Sequence, residues 1–558
     1  MFPRTSQWSA RITLALVAVL ALACPRRDDG FQDVLQPDGA AVDGAGDSSF
    51  DVMDAGSSDV NDVSLHDRAD DVPDMRPRMD IVIPGMPAIT NAPSRFGGPE
   101  DSTRAPEIVY PSPGTILPPN LTGFEVHFRP GTGNDLFEVS FGGDSAVVRI
   151  YTRCASVGGG CALTIDDPTY RAVVAAARPG RDLTVRVRGT SDAAGGRFGA
   201  SPEQALGMAD MDVRGGIYYW AASGTINRYE FGLPGAAAEV FLRGDLINCV
   251  GCHVLSRNGQ RITAGRFIPA PAPTQIYDVV TRMTTSPSFG MNFGSFSPDA
   301  SRLIASDGNY LTLLDGATGA GVTGLAASTI GTHPDWSPDG TRVVFARPRM
   351  IIPFAGNPGH NAPADLLLMA YSAGTFAAPT PIVLAASENN YYPAFSPDNN
   401  WLLWNRSSGQ SYDAPDAQLW AMPLDRTRPP LRLTSADGGD ALNNSWPKWA
   451  PIVGTYGGET LYWFTFSSRR DYGLRIQNSG RPRASQTAQL WMAAFRPGRP
   501  VDPSAAAFWL PFQDRTVGNH IAQWTTEVRR RTCRTDPDCG PDEQCVTLTA
   551  GGVCVGRR

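Results

Sequence analysis

Lysine is nearly missing from this 558-residue chain: Lys448 is the only one, so arginine carries the positive charge. Long apolar runs are missing as well. The longest, Ile12 to Ala23, falls short of the roughly 20 residues a spanning helix requires. A basic surplus is absent, the formal charge being -7. Even that acidity belongs to one stretch, where fifteen Asp and three Arg lie between Asp28 and Asp80. The rest of the chain is close to neutral, which removes the electrostatic basis for a nucleic-acid partner. No Gly-x-Ser-x-Gly elbow, phosphate loop or His-Glu-x-x-His helix occurs. That takes away the usual signatures of serine hydrolases, nucleotide hydrolases and zinc peptidases.

What is present begins with an export signal. Arg4 and Arg11 precede the apolar run, and Ala21-Leu22-Ala23 forms a small-residue cleavage site, so residues 1–23 read as a signal peptide. Leu20-Ala21-Leu22-Ala23-Cys24 resembles a bacterial lipobox, with Ala21 where Leu is usual. The resemblance implies a diacylated Cys24 as mature N-terminus, and hence a membrane partner through a lipid anchor. The expected location is the bacterial cell envelope, at the outer membrane, in the periplasm or on the surface. Residues 24–100 are rich in Asp, Gly, Ala, Ser and Pro. Such a segment buries too little apolar surface to offset its ordering entropy and reads as a disordered tether.

Export places nine cysteines in an oxidising compartment. With Cys24 acylated, the others fall into groups. Cys154 and Cys161 flank a Gly-rich turn and can close a small loop. Cys533, Cys539, Cys545 and Cys554 can staple a terminal module over 533–558 with two disulfides, among three possible pairings. Cys249 and Cys252 remain, in the run Cys249-Val250-Gly251-Cys252-His253.

Short alternating segments punctuated by Pro and Gly fill 105–200, among them Phe124 to Phe128, Ala146 to Tyr151 and Leu183 to Arg188. Period-two alternation argues half-buried strands. With the opening Tyr110-Pro111-Ser112-Pro113-Gly114, the region resembles an immunoglobulin-like or fibronectin type III-like sandwich. Residues 210–530 carry an internal repeat. Phe296-Ser297-Pro298-Asp299, Trp336-Ser337-Pro338-Asp339 and Phe395-Ser396-Pro397-Asp398 each sit between apolar runs. Weaker copies begin at Trp449 and Trp524, and Ser256-Arg257-Asn258-Gly259 aligns as a sixth. Strand-built repeats of about 40 to 60 residues indicate a propeller. The motif resembles the repeat of TolB-like and WD-repeat-like propellers. The fold class is therefore all-β: a six-bladed propeller after a sandwich, with an acidic tether before and a Cys-rich module behind.

Cys-x-x-Cys-His is similar to the attachment site of c-type cytochromes. The resemblance implies one covalent haem c, with Cys249 and Cys252 as thioether partners and His253 as proximal iron ligand. A plain Cys249–Cys252 disulfide, a redox dithiol or a metal site are the alternatives. Aligned with the repeat, the motif stands where other copies carry Thr332-His333-Pro334, Tyr391-Tyr392-Pro393, Ser445-Trp446-Pro447 and His520-Ile521-Ala522. Equivalent propeller positions gather around the central channel, so the haem is expected at a channel mouth. The distal ligand candidates are His520, then His333, then Met291. The function expected is electron transfer or redox sensing with an unknown envelope partner, and not necessarily catalysis. The alternative is a non-redox scaffold that binds a protein or glycan.

Overall fold

The computed structural model describes residues 76–558 except 234–235, 245–249, 267–272, 351–362, 412, 542, 549–550 and 557–558. The signal peptide, Cys24 and the tether as far as residue 75 lie outside the described residues, as does Cys249. Regular structure is nearly all strand, with α-helix only at Asp167–Ala177 and Thr434–Asp437 among the described residues.

Residues 78–208 form two sheets. One runs in the order Arg78–Val82, Val147–Arg153, Leu136–Gly142, Asp182–Thr190, Gln204–Met208, Ile116–Leu117. The other runs Glu107–Tyr110, Glu125–Arg129, Gly160–Thr164, Ser156–Val157. Alternation works as the sequence implies: Leu183, Val185 and Val187 are buried while Thr184, Arg186 and Arg188 face outward. Both sheets contribute to one apolar core, with Phe128 against Phe137 at 4.8 Å.

Two features depart from expectation. The tether does not extend to residue 100. Arg78–Val82 adds a parallel edge strand to Val147–Arg153, and Ala92 and Phe96 are buried beyond it. The apolar residues there, Ile81 and Ile83, pack against the core and outweigh the nearby Asp residues. The sandwich read as all strand over 105–200 also holds a helix, which Asp166 caps by accepting from Thr169 N at 2.9 Å. Pro168 follows in the first turn, and Tyr170, Val173 and Ala177 give the helix its buried face.

From Gly216 to Thr525 the chain builds a series of antiparallel sheets. Each begins with its innermost strand: Val250–Leu255, Phe293–Phe296, Thr332–Trp336, Asn389–Phe395 and Ser445–Tyr456. A nine-stranded sheet consists of two such sets joined through the single bridge Ala364↔Asn389. The sixth inner strand, Asn519–Thr525, pairs with Gly216–Ala221 from the start of the region. Each inner strand packs on the next, and Asn519–Thr525 packs on Val250–Leu255, so the six close a ring.

The repeat owes its sequence to one hydrogen-bonded turn. Ser337 Oγ donates to Asp339 Oδ1 at 2.6 Å and accepts from Arg342 N at 2.9 Å. Ser297 and Ser396 repeat the arrangement with Asp299 and Asp398. Ser256 does the same with Asn258, donating at 2.9 Å and accepting from Arg261 N at 2.9 Å. The hidden copy is therefore a physical equivalent of the others.

Among the described residues three disulfides form: Cys154–Cys161, Cys533–Cys545 and Cys539–Cys554. They are the mark of an exported chain. The last two staple a three-stranded sheet from Thr532 to Gly556. It docks on the ring through Arg530, which bonds Glu230 at 2.9 Å and also Glu239, itself held by Arg228 at 2.8 Å. The sandwich joins the ring through Glu125, which accepts from His127, Tyr472 and Arg475. Tyr110 Oη beside it accepts from Trp509 N at 3.1 Å.

Candidate functional site

The ring's mouth holds a cavity of about 100 Å³, walled by all six inner strands. A shared backbone device builds it. Ladder pairing breaks at Gly251/Val254, Thr332/Asp335, Tyr391/Ala394 and Ser445/Lys448, and in the Asn519–Thr525 pairing as well. At these bulges His333, Tyr392, Trp446 and Ile521 take φ of 50°, 50°, 57° and 56°. A bulge re-aims side chains and bends the strand, and here it turns successive residues into the channel. Pro334, Pro393 and Pro447 follow three of them, where a residue without an N–H costs the ladder nothing.

The rings so placed pack on one another around the mouth. Phe293 meets His333 at 4.1 Å, His333 meets Tyr392 at 4.3 Å, and Tyr392 stacks on Trp446 at 3.9 Å. One level deeper, Asp335 accepts from Lys448 Nζ at 2.9 Å, Arg257 Nη2 at 3.4 Å and Phe395 N at 2.9 Å. That carboxylate ties four of the strand sets together across the ring.

His253 sits in the cavity wall, 2% exposed. Its Nε2 lies 3.2 Å from Tyr218 O. A carbonyl only accepts, so Nε2 carries the proton. Nδ1 is then the bare lone pair, buried and with no partner in hydrogen-bond geometry, although the Ile521 backbone lies near the ring. Burial pushes the imidazole down to about 4, against the backbone of Tyr218 and Ile521, which favour its charged form. The ring is neutral at physiological pH.

Among the predicted site residues, the structure brings His253 and His333 to the same cavity. His520 precedes the lining residue Ile521 and rests its ring against Trp220 at 5.8 Å, outside the cavity wall. Met291 does not reach the mouth. It is fully buried with Ile276 of the preceding sheet and with Phe296 and Leu303 of the next, just before the strand Phe293–Phe296 begins. The six other described cysteines are consumed in disulfides, so the Cys533, Cys539 and Cys554 cluster offers no thiolates to a metal. Sequence reasoning missed the aromatic arc. Its signal was available in Phe293, His333, Tyr392 and Trp446, which share one place in the aligned repeat.

No family model matches the chain, and no curated relative matches it. Among solved structures, it is similar to TolB from Acinetobacter baumannii at 13% identity and a TM-score of 0.38, over 61% of this chain and 79% of that one. A protein assigned as TolB from Agrobacterium tumefaciens matches at 15% and 0.32, over 56% and 99%. Hydrazine synthase from Kuenenia stuttgartiensis matches at 10% and 0.29, over 44% and 62%.

The donor set fits the iron of a haem: a neutral imidazole with an orphaned, buried lone pair, its other nitrogen oriented by a carbonyl, as in ordinary metal-binding histidines. The cavity is open at the mouth and, at about 100 Å³, is smaller than the roughly 300–1,000 Å³ of whole cofactor sites.

Proposed function

We propose that this chain is an envelope protein built on a six-bladed TolB-like propeller, carrying one haem c at Cys249, Cys252 and His253. Its role is electron transfer or redox sensing, and Cys24 anchors it to a membrane. The sandwich before the ring serves as a spacer or docking platform. The observation that carries the reading is the unpartnered Nδ1 of His253 at the mouth. A buried polar atom without a partner costs about 1–3 kcal/mol unless something binds it.

A bound haem would supply one-electron exchange. The protein's own residues supply the rest. Tyr218 O fixes the His253 tautomer, and the apolar wall of Phe293, Tyr392 and Trp446 lowers the local dielectric. His333 replaces His520 as first distal candidate, since it shares the cavity with His253.

The second reading, a binding scaffold with a Cys249–Cys252 disulfide, is favoured by the small volume of the cavity. Co-expression with a cytochrome c maturation system separates the two. The expected result is a haem-stained band on a denaturing gel and a mature mass raised by one haem. A mature mass with those sulfurs joined and no tetrapyrrole leaves the scaffold reading.

A further inference from the structure

We propose that the cavity at the ring's mouth binds a small monocarboxylate, held by Lys448 Nζ and the Gln523 amide. This goes beyond the haem reading and does not rest on it. Charge is the first argument. Lys448 is the only lysine or arginine in the wall, which contains no Asp or Glu. Its partner Asp335 is shared with Arg257, so two cations lean on one carboxylate. No other acid pairs with either cation among the described residues. The trio therefore keeps a surplus of one positive charge, and Lys448 is its member that faces the cavity. That surplus suits a monoanion; a dianion would stay half uncompensated against an apolar wall.

The second argument is donors without acceptors. By period-two alternation a second tier of the channel lies below the mouth, held by Val254, Ser295, Asp335, Ala394, Lys448 and Gln523. Val254 and Ala394 are apolar. Ser295 Oγ accepts from Trp336 N at 2.9 Å, and Asp335 is filled by Lys448, Arg257 and Phe395 N. Lys448 gives Asp335 one N–H at 2.9 Å and has no other acceptor among the described residues, which leaves two of its three donors open. The Gln523 amide makes no hydrogen bond to a described residue. The two side chains are neighbours in the ring, because Ser445–Tyr456 packs directly on Asn519–Thr525, and both line the cavity. An ammonium and an amide on adjacent strands offer hydrogen bonds to the two oxygens of a carboxylate, strengthened by its charge.

Size and the rest of the wall fix the class. The cavity measures about 100 Å³ and opens at the mouth. Apolar cavities of about 150 Å³ take benzene, so this one accepts a body of roughly four to six non-hydrogen atoms. Phe293, Tyr392, Trp446 and Pro447 line it beside Lys448 and match an alkyl chain. A short fatty acid carries both the charged end and the apolar end that this wall complements, whereas chloride or phosphate has no apolar end to bury.

The test is calorimetric titration of the mature chain at neutral pH with butyrate and with butyramide, its uncharged counterpart of the same shape. Two preparations are used, made with and without a cytochrome c maturation system. Saturable one-to-one butyrate binding is expected, with butyramide at least about tenfold weaker. Lys448→Met abolishes butyrate binding. Gln523→Leu removes no bond within the described chain and weakens binding about tenfold. Arg257→Gln leaves Lys448 and Asp335 as a neutral pair and weakens binding several-fold. Butyrate binding by the haem-free preparation alone also supports the site, covered by haem in the other. Absence of saturable binding in both preparations, equal binding of butyramide, or undiminished binding by Lys448→Met or Gln523→Leu overturns the proposal. The haem reading stands or falls separately, on the mass of the mature chain.

Discussion

Asp335 is the residue whose removal should most directly loosen the ring. Its side chain is 7% exposed and holds Lys448, Arg257 and the Phe395 amide, three groups from three other strand sets of the ring. Asp335→Ala strips all three partners at once. Breaking a fully buried ion pair costs about 3–5 kcal/mol. Here the cations keep 22% and 24% exposure and recover some hydration, which lowers that share to about 1–2 kcal/mol. The Phe395 amide is buried and loses a charge-assisted bond worth about 1.5–3 kcal/mol. The expected total is about 3–4 kcal/mol. Asp335→Asn keeps an acceptor for the amide and should cost only about 1–2 kcal/mol.

Chemical unfolding followed by tryptophan fluorescence, with disulfides intact, measures both variants. A cycle with Lys448→Met isolates the pair, with an expected coupling of about 1 kcal/mol. The chain's one lysine adds a second readout. An amine-specific acylating reagent can modify only Lys448 and the N-terminal amine, and Asp335→Ala should raise the Lys448 labelling rate several-fold. A loss below about 1 kcal/mol for Asp335→Ala, or an unchanged labelling rate, refutes the account of Asp335 as the tie across the ring.

The joint between sandwich and ring should be acid-sensitive. Burial opposes charge on Glu125, yet bonds from His127, Arg475, Thr164 and Tyr472 hold its carboxyl well below the usual range. Its stabilisation is therefore complete above the unfolded value near pH 4.3 and is lost as pH falls through the lower folded value. Glu125→Gln should remove that part of the acid slope in pH-dependent unfolding; an unaltered slope counts against it. Gly473→Ala should destabilise the same joint by about 3 kcal/mol or more, since φ is +48° and an added Cβ would fall on His127 Nδ1. A midpoint shift equivalent to under about 1 kcal/mol would contradict this. Cys539→Ser/Cys554→Ser opens a closure of 15 residues, costing the terminal sheet about 3 kcal/mol. Limited proteolysis should then cut within 533–556 while the ring stays intact, and uncut protein would show the module is held by Arg530 and by the ion pair of Arg282 with Glu543 instead.

The ring was legible in the sequence because its turns depend on side chains that cannot be exchanged freely. A Ser hydroxyl and an Asp or Asn oxygen two residues on close each turn, so those letters recur even where the strands diverge. The two weaker copies, at Trp449 and Trp524, lack that Ser-x-Asp pair, and only their aromatic anchors and inner-strand positions betray them. The edge strand Arg78–Val82 was not legible, because a five-residue pairing at the end of an acidic stretch is decided by the partner strand Val147–Arg153 and not by local composition. The site was half legible. Register within the repeat placed His253 and His333 at one mouth, since a bulge repeated at equivalent positions carries equivalent side chains to the axis. The same logic misjudged Met291, two positions before the register place held by Phe293 in a strand whose ladder has no break. It also could not tell His520 from Ile521 as the residue facing inward, because that choice turns on which of two adjacent residues takes positive φ. In the structure it is Ile521, a β-branched side chain in a region such residues rarely enter.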